Sequence, residues 1–386
     1  MKRSLASLLL MLGCTLFPLI PSSVHASGFA LPDQSSSAMG MASAFVGQAD
    51  DVSAAWYNPA GLTKLDGTWV SAGITAISPS FKHETLYGIT ESIASDIHLP
   101  FQLYGSTKVN DRLALGLSIN NPFGLSTDWA ATSTTAAVAT FSSVKTLNVN
   151  PSLAYKVTDK LSLAVGIDYL WLEATLNSTQ LTLTGDGDGW GANAALLYAI
   201  TDKLNLGINY RRKIRVEIDG KAYGSLSATT GITLPDELKL GVSIKATDAL
   251  TLNIEADQTN WSTYNQVELT ALGVIDYKEW QDTWCYRIGG QYRLSDIWKL
   301  RAGILYDTNP VREEYFDTRV PDSDREGVTL GVGYTAGKMT IDAAYMYLHF
   351  KSRTINDSLK DGSYAVLDGT YRATANIASV TLSYTF

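Results

Sequence analysis

The last segment of the chain alternates apolar and polar residues with a period of two. Its apolar positions are Ala378, Val380, Leu382, Tyr384 and Phe386, and the hydroxyl residues Ser379, Thr381, Ser383 and Thr385 stand between them. Because successive side chains of a β-strand point to opposite faces, one face of this segment is apolar and the other is polar. This pattern is typical of a transmembrane β-barrel wall, with lipid outside and a polar lumen inside.

Short polar turns separate many segments that alternate in the same way. They lie at 110–113, 158–161, 201–204, 247–250, 295–297 and 336–338. Asp and Asn, which recur in these turns, close tight turns by hydrogen bonding to their own backbone. The other connections are long and polar or glycine-rich, at about 79–99, 121–142, 177–188, 219–232, 262–282, 308–324 and 351–374.

Six short and seven long connections, in strict alternation, join fourteen strands. The sequence therefore predicts an all-β fold, a 14-stranded antiparallel transmembrane β-barrel, with both chain ends on the periplasmic, short-turn side. A soluble β-sandwich or propeller is the alternative, but neither requires long and short connections to alternate.

Charged residues inside the predicted strands are expected to face the lumen, since a charge facing lipid at the midplane costs about 2–4 kcal/mol. Counting along the strands places these residues inside: Asp168, Arg211, Lys239, Glu255, Asp257, Arg287, Arg301 and Asp342. One interpretation is a lattice of ion pairs across the lumen wall. The other is that Arg301, Arg287 or Arg211 binds a substrate carboxylate in bidentate fashion.

The N-terminus predicts export. Lys2 and Arg3 precede an apolar run from Leu5 to Ile20, and small residues lead to a cleavage site after Ala26, so residues 1–26 form a signal peptide. A lipoprotein site at Cys14 is a weaker alternative. After Ile20, no stretch approaches the roughly 20 apolar residues of a membrane helix, which excludes a helical membrane protein.

Composition narrows the class further. Without Lys2 and Arg3 the formal net charge changes from −8 to −10, and no basic run is present, so nucleic-acid binding is not expected. Cys285 is the single cysteine after the signal peptide, and the histidines show no metal-ligand spacing, so no metal or other cofactor is predicted. His83, His98 and His349 are expected in loops or at a strand end, which leaves an acyl hydrolase without a lumen-facing base.

The segment 27–67 precedes the first strand and is too long for a simple leader. It is rich in small residues between Ser35 and Ala44. A barrel of about fourteen strands lies between small barrels filled by their own side chains and porins with an open channel. We therefore expect residues 27–67 to form an N-terminal plug, or hatch, inside a barrel of residues 68–386.

Several motifs of the chain resemble the FadL/TodX family of outer-membrane transporters for long-chain fatty acids and other hydrophobic compounds. The motifs are 27–31 (SGFAL), 35–40, 56–62 (WYNPAGL), 121–125 (NPFGL), 150–155 (NPSLAY), 280–284, 300–307 and 321–325 (PDSDR). Each motif alone is weak. Their order and their position relative to the predicted strands make the similarity specific along the whole exported chain.

The resemblance implies a monomer in which substrate passes from an outer groove to an inner pocket. Substrate then leaves sideways through a kink in the third strand, by ligand-gated diffusion. It implies substrate contacts at Phe29 and Leu31, a functional bend of the plug at Asn58, Pro59 and Ala60, and a lateral gate at Asn120, Asn121, Pro122, Phe123 and Gly124. Pro122 supports this gate because proline has no backbone donor and interrupts strand pairing. Equally, Asn121 and Pro122 end a strand and begin a loop.

The expected function is passive uptake of long-chain fatty acids or similar molecules, with outer-membrane lipid and lipopolysaccharide around the barrel. Uptake of aromatic or alkane hydrocarbons is the alternative, and a general solute porin is disfavoured by the plug. The loop 123–141 forms either a greasy surface element or a flexible cap. Most tryptophans are expected in the interfacial girdle, namely Trp69, Trp171, Trp261, Trp280, Trp284 and Trp298.

Overall fold

The computed structural model describes residues 28–269, 272–359 and 365–386. The predicted signal peptide 1–26 lies outside the described residues. The strands are β1 (Thr68–Thr85), β2 (Thr90–Ser92), β3 (Phe101–Lys108), β4 (Leu113–Asn120), β5 (Gly124–Asp128), β6 (Phe141–Lys156), β7 (Leu161–Asn177), β8 (Thr182–Thr201), β9 (Leu204–Arg211), β10 (Ile214–Ala222), β11 (Leu226–Leu234), β12 (Glu237–Lys245), β13 (Leu250–Thr259), β14 (Gln266–Leu269), β15 (Val274–Tyr277), β16 (Thr283–Arg293), β17 (Trp298–Asp307), β18 (Arg325–Ala336), β19 (Met339–Ile355) and β20 (Gly369–Thr385).

Helical structure is short among residues 28–269, 272–359 and 365–386, where it comprises α1 (Ser36–Met39), α2 (Ala54–Tyr57) and the 3-10 helices Pro59–Lys64, Trp261–Thr263 and Glu313–Tyr315. In the described part of the chain, no helix is long and apolar enough to cross a bilayer.

Among the described residues, fourteen antiparallel strands form a closed wall: β1, β3, β4, β6, β7, β8, β9, β12, β13, β16, β17, β18, β19 and β20. The first and last strands close it through a continuous ladder from Trp69–Thr385 to Thr85–Gly369. The predicted fourteen-stranded barrel is confirmed, and all six predicted short turns lie between consecutive wall strands.

The two faces of the wall follow the predicted alternation. In β20, Val380 and Leu382 are 51% and 47% exposed on the outside, whereas Ser379 and Thr381 are 2% and 4% exposed inside. Outward side chains would meet lipid in a membrane, so their exposure is that of a lipid-facing surface.

The predicted long connections contain more strand than expected. β1 continues through the start of 79–99, β8 begins within 177–188, and β10 and β11 form a hairpin across 219–232. The glycines of β8 explain part of this difference. A Cβ on Gly187 would overlap the carbonyl oxygen of Glu217 in β10, so glycine permits a close approach of the two backbones that an apolar pattern does not reveal.

His83 is a second difference. It lies in β1 rather than in a loop, with a buried imidazole that stacks on Tyr371 at a centroid distance of 4.3 Å, and its Nε2 lies 3.0 Å from the carbonyl oxygen of Asp368. His349 lies within β19.

The N-terminal segment lies inside the barrel, and polar groups of the wall satisfy its backbone. The N–H of Ser36 donates to Thr381 Oγ1 of β20 at 3.2 Å. Elsewhere on the wall, the N–H of Val46 donates to Glu255 Oε2 of β13 at 2.8 Å. Because buried backbone groups need hydrogen-bond partners, these contacts explain why a lumen lined by Ser, Thr and charged residues accepts a folded plug.

Candidate functional site

The third wall strand is broken at the predicted gate. β4 ends at Asn120, and the chain resumes as β5 at Gly124, which forms a ladder with β6. Within the described residues, no ladder joins β5 to β3 on its other side, and the chain before β3 contributes only the Ile93–Trp129 bridge and the backbone hydrogen bond from Ala94 N–H to Asp128 O. The wall is therefore interrupted beside residues 120–124, which we call the gate segment.

The start of the plug forms backbone hydrogen bonds with the gate segment. The N–H of Leu31 donates to Pro122 O at 2.8 Å, and the N–H of Gly124 donates to Phe29 O at 2.9 Å. These two bonds flank an antiparallel bridge between Ala30 and Phe123. Residues 28–34, which we call the arm, thus supply the gate segment with a partner that the wall does not provide.

The side chain of Asn121 bridges the break in the wall. Its Oδ1 accepts from the N–H of Phe101 in β3 at 2.9 Å, and its Nδ2 donates to Thr146 O in β6 at 2.6 Å. Thr146 Oγ1 in turn donates to Phe123 O at 2.6 Å and accepts from Phe123 N–H at 3.0 Å. Side chains therefore replace the regular ladder at the gate segment.

Phe29 of the arm is buried in an aromatic cage. Its ring centroid lies 4.7 Å from that of Trp261, 5.8 Å from that of Trp280, and 6.0 Å from those of Tyr264 and Phe123. Edge-to-face contacts of this kind add to the stabilisation from burial of the rings. The arm is therefore anchored by one aromatic side chain in an apolar site.

An apolar cavity adjoins this cage at the outer end of the barrel. Phe29 and Tyr264 line it together with aliphatic residues from the wall and loops, among them Leu125, Val144, Leu172, Ile218, Ile232, Val267 and Val320. A concave apolar site with few polar groups is the usual form of a small-molecule pocket. Leu125 belongs to β5, so the strand that follows the gate segment lies at the edge of this cavity.

Three charged residues that line the cavity, Asp276, Lys278 and Arg319, form one ion-pair cluster with Asp317. Lys278 Nζ, in a residue only 5% exposed, lies 2.8 Å from Asp317 Oδ2 and 2.9 Å from Asp276 Oδ2. Arg319 Nη1 lies 3.6 Å from the same Asp317 carboxylate. Burial lowers the pKa of Lys278, but the carboxylates of Asp317 and Asp276 outweigh burial and raise it above its ordinary value. Lys278 is therefore charged and already neutralised by its neighbours.

The start of the arm contacts one buried carboxylate. The N–H of Gly28 donates to Asp322 Oδ2 at 3.0 Å. Burial, with a smaller contribution from Asp307, raises the pKa of Asp322 to about 7 against the opposing effects of Arg325 and Arg353. Asp322 belongs to the predicted motif 321–325, whose contact with the arm the sequence does not indicate.

The three arginines proposed as substrate ligands are all paired with wall aspartates. Arg211 Nη1 contacts Asp168 Oδ1, Arg287 Nε lies 2.9 Å from Asp257 Oδ2, and Arg301 Nη1 lies 2.6 Å from Asp342 Oδ1. None of the three lines the apolar cavity within the described residues. This geometry agrees with the ion-pair lattice, and a role for these arginines in substrate binding stays a prediction without support from their positions.

The predicted bend of the plug is fixed against the wall. Asn58 Nδ2 donates to Val46 O at 2.9 Å and to Leu196 O at 3.0 Å, and Asn58 Oδ1 accepts from Ala60 N–H at 3.2 Å. Pro59 begins the 3-10 helix that follows. The plug thus makes a tight turn at Asn58, Pro59 and Ala60, which is hydrogen-bonded to β8 and does not line the apolar cavity.

Two tryptophans differ from the sequence prediction. Trp261 and Trp280 are fully buried in the cage around Phe29 rather than exposed in an interfacial girdle. Trp280 lies within the long connection 262–282, and Trp261 directly precedes it. This position outside the strands is the sequence signal that distinguishes the two from girdle residues. Trp129, in the loop 123–141, is likewise buried and donates from Nε1 to Thr318 O at 2.9 Å.

A closed barrel with a lipid-facing exterior, a plugged lumen and an interrupted third strand defines a class of outer-membrane channel. Comparison with known proteins gives the family: the profile described as "Outer membrane protein transport protein (OMPP1/FadL/TodX)" matches residues 18–386. The chain belongs to this family and is an outer-membrane β-barrel protein.

Individual relatives are distant but similar over most of their length. The "Long-chain fatty acid transport protein" of Escherichia coli O6:H1 is 26% identical over 398 residues, which cover 86% of this chain and 89% of that protein. The crystal structure of a Pseudomonas aeruginosa FadL homologue superposes with a TM-score of 0.84 at 21% identity, covering 93% of this chain and 100% of the other. The toluene transporter TodX of Pseudomonas putida gives a TM-score of 0.72 at 17% identity, covering 94% and 99%. These two structures support the fold.

Proposed function

We propose that this chain is a passive, ligand-gated channel that takes up long-chain fatty acids or similar hydrophobic molecules across the outer membrane. The observation that carries the proposal is the pairing of the arm with the gate segment. Phe29 of that arm occupies the aromatic cage beside the apolar cavity, so one segment contacts both the cavity and the wall break. A ligand that displaces Phe29 from the cage pulls the arm away from the gate segment, which then has no backbone partner on that side.

The exit in this proposal is sideways into the bilayer. The plug fills the bore below the cavity, and Met39, Met41 and Phe45 within it are fully buried. A lipid tail that crossed a wet bore would also be hydrated at a cost of about 0.8 kcal/mol per methylene. The break between β4 and β5 offers a route that keeps the tail in apolar surroundings.

The proposal assigns roles to the predicted residues. Phe29 and Leu31 of the arm contact substrate or yield to it, and Asn120, Asn121, Pro122, Phe123 and Gly124 border the exit. Asn58, Pro59 and Ala60 keep the rest of the plug in place. The protein acts as a monomer within outer-membrane lipid and lipopolysaccharide, without a catalytic role.

Uncharged hydrocarbons are the second candidate substrate. Lys278 and Arg319 line the cavity, but Asp276 and Asp317 lie beside them, so these four groups carry no net charge. Lys221 also lines the cavity, and its side chain is exposed. A fatty-acid carboxylate would compete with those aspartates, whereas a hydrocarbon would not.

The test is complementation of a Gram-negative strain that lacks its own transporters of this family. We expect the wild-type chain to restore uptake of radiolabelled oleate, and a chain that restores toluene uptake alone would identify the hydrocarbon candidate. Liposomes containing the purified protein should not swell with small sugars. Swelling of the liposomes contradicts the proposal, and so does a strain that takes up neither oleate nor toluene.

A further inference from the structure

Gln34, at the end of the arm, is buried between the arm and the gate segment. It is 2% exposed, and its side-chain amide donates two hydrogen bonds in different directions. Nε2 lies 2.7 Å from Leu31 O in the arm and 2.9 Å from Asn121 O in the gate segment. A single side chain thus connects the two segments whose separation the proposed function requires.

Two tyrosines hold the main chain of Gln34 independently of its side chain. The N–H of Gln34 donates to Tyr57 Oη at 2.9 Å, and Tyr104 Oη donates to Gln34 O at 2.6 Å. Tyr57 Oη also donates to Pro32 O at 2.9 Å. Because α2 and β3 carry these tyrosines, the backbone of Gln34 is fixed to plug and wall, while its amide group reaches the two parts that we propose to move.

The Gln34 amide supplies the carbonyl of Asn121 with the hydrogen-bond donor that a neighbouring wall strand would otherwise supply. Asn121 follows the last residue of β4, so its carbonyl oxygen lies at the break in the wall. A half-buried carbonyl that loses its donor is unfavourable, because water replaces the donor only in part. Gln34 supplies the donor while the arm is docked, and movement of the arm or the gate segment separates them.

We propose that Gln34 is a positioning residue that latches the arm to the gate segment in the closed state. This inference rests on the proposed function, and it adds the group that transmits displacement of Phe29 to the wall. In the latched state, Gln34 holds Leu31 and Asn121 together, and the Leu31–Pro122 and Gly124–Phe29 bonds form beside it. Loss of the amide favours the open state without removing any residue of the cavity.

The experiment compares Gln34→Met with Gln48→Met. Methionine keeps the length of the side chain and removes the amide. Gln48 is a matched control because it is a buried glutamine of the same plug, but its amide contacts Asp50 and Asn253, away from the gate segment. The first measurement is amide hydrogen exchange of the ligand-free proteins in peptides that cover residues 28–34 and 120–126.

We expect exchange in both peptides to be roughly fivefold faster in Gln34→Met, since a buried hydrogen bond of this kind changes an equilibrium by about that factor. The second measurement is oleate uptake at a concentration below saturation, which should rise by a similar factor because more of the protein is competent to open. Gln48→Met should match the wild type in both.

A purely structural role for Gln34 would speed exchange throughout the barrel and reduce uptake. If Gln34→Met protects the two peptides as well as the wild type does, the latch is overturned. If the wild type takes up oleate and Gln34→Met exchanges faster but takes up oleate at the same rate, the coupling of the latch to transport is overturned. If Gln34→Met fails to fold, Gln34→Ala replaces it, because alanine removes the amide, adds no charge and needs less space. A wild type that transports no probe contradicts the proposed function, while the exchange measurement still decides the latch.

Discussion

At the scale of single residues, Asp322 links the arm to the loop 308–324 through one hydrogen bond from Gly28. Its carboxyl is buried, and burial raises its pKa from 3.8 to about 7 against the effect of Arg325 and Arg353. A buried group with a raised pKa binds its proton more tightly in the folded protein than in the unfolded chain. The stability of the fold therefore depends on the protonation of this side chain.

The sign of this dependence gives a prediction for Asp322→Asn. Between pH about 4 and 7, the folded protein holds a proton that the unfolded chain releases, so the contribution of Asp322 to stability falls as pH rises through this range. The amide of the variant does not titrate. We expect the difference in melting temperature, wild type minus Asp322→Asn, to fall from pH 4 to pH 7 and then level off, as measured by thermal denaturation in detergent. A difference that is constant with pH would contradict the raised pKa.

Residues in loops were the hardest to place from sequence. The resemblance implies a substrate contact at Phe29, and Phe29 lines the cavity. For Trp261 and Trp280, by contrast, the preference of amphipathic rings for an interface predicts the girdle, and the structure places both in the cage. The pattern of a loop does not show that it folds back into the barrel, so neither the cage nor the partners of Lys278 could be derived from spacing.

At the scale of elements, the break between β4 and β5 was predictable in part. Pro122 has no backbone donor, and this local property indicated an interruption of pairing. The pairing with the arm was not predictable, because about ninety residues separate Ala30 from Phe123 and no periodicity connects them. Local chemistry thus located the gap in the wall, and tertiary packing decided what fills it.

The bridge between arm and gate segment allows a direct test of whether the two must separate. Ala30 and Phe123 form a non-hydrogen-bonded pair, a geometry in which Cα atoms lie about 4.5 Å apart. That separation is within the range of a disulfide. We expect the double variant Ala30→Cys/Phe123→Cys to lose oleate uptake when it is oxidised and to regain it after reduction, because the crosslink holds the arm on the gate segment.

Two controls accompany the crosslink. Ala30→Cys alone should transport equally well under both conditions, and Cys285, which is buried in β16, is present in every variant. Full uptake by the oxidised double variant would show that substrate leaves without separation of arm and gate segment.

At the scale of the whole molecule, alternation and turn spacing were sufficient to predict the barrel. Each strand has to present apolar side chains to lipid and polar ones to the lumen, and the predicted inward charges Asp168, Arg287 and Asp342 are all buried. The predicted connection 219–232 does lie between two wall strands, β9 and β12, but it contains the β10–β11 hairpin, which pairs with β8. Polar alternation outside the membrane carries less information than apolar alternation within it.

The fit of the plug in the wall is also a property of the whole molecule. Gly289, on the inner face of β16, contacts the plug so closely that a Cβ there would overlap the carbonyl oxygen of Met41. Its neighbour Gly290 lies on the outer face, where a Cβ would lie 3.2 Å from Cδ2 of the flexible Leu252 side chain. Two adjacent glycines of one strand therefore differ mainly in which side of the wall they face.

This pair separates plug packing from strand propensity. Gly289→Ala and Gly290→Ala change the backbone entropy of the same strand in the same way, but the first alone forces the plug from the wall. Overpacking of this kind costs about 1–3 kcal/mol. We expect Gly289→Ala to lower the melting temperature by several degrees and to expose the plug to added protease, with Gly290→Ala close to the wild type. Equal melting of the two variants would mean that the plug sits loosely in the barrel, and a loose plug would reopen the bore as a path for substrate.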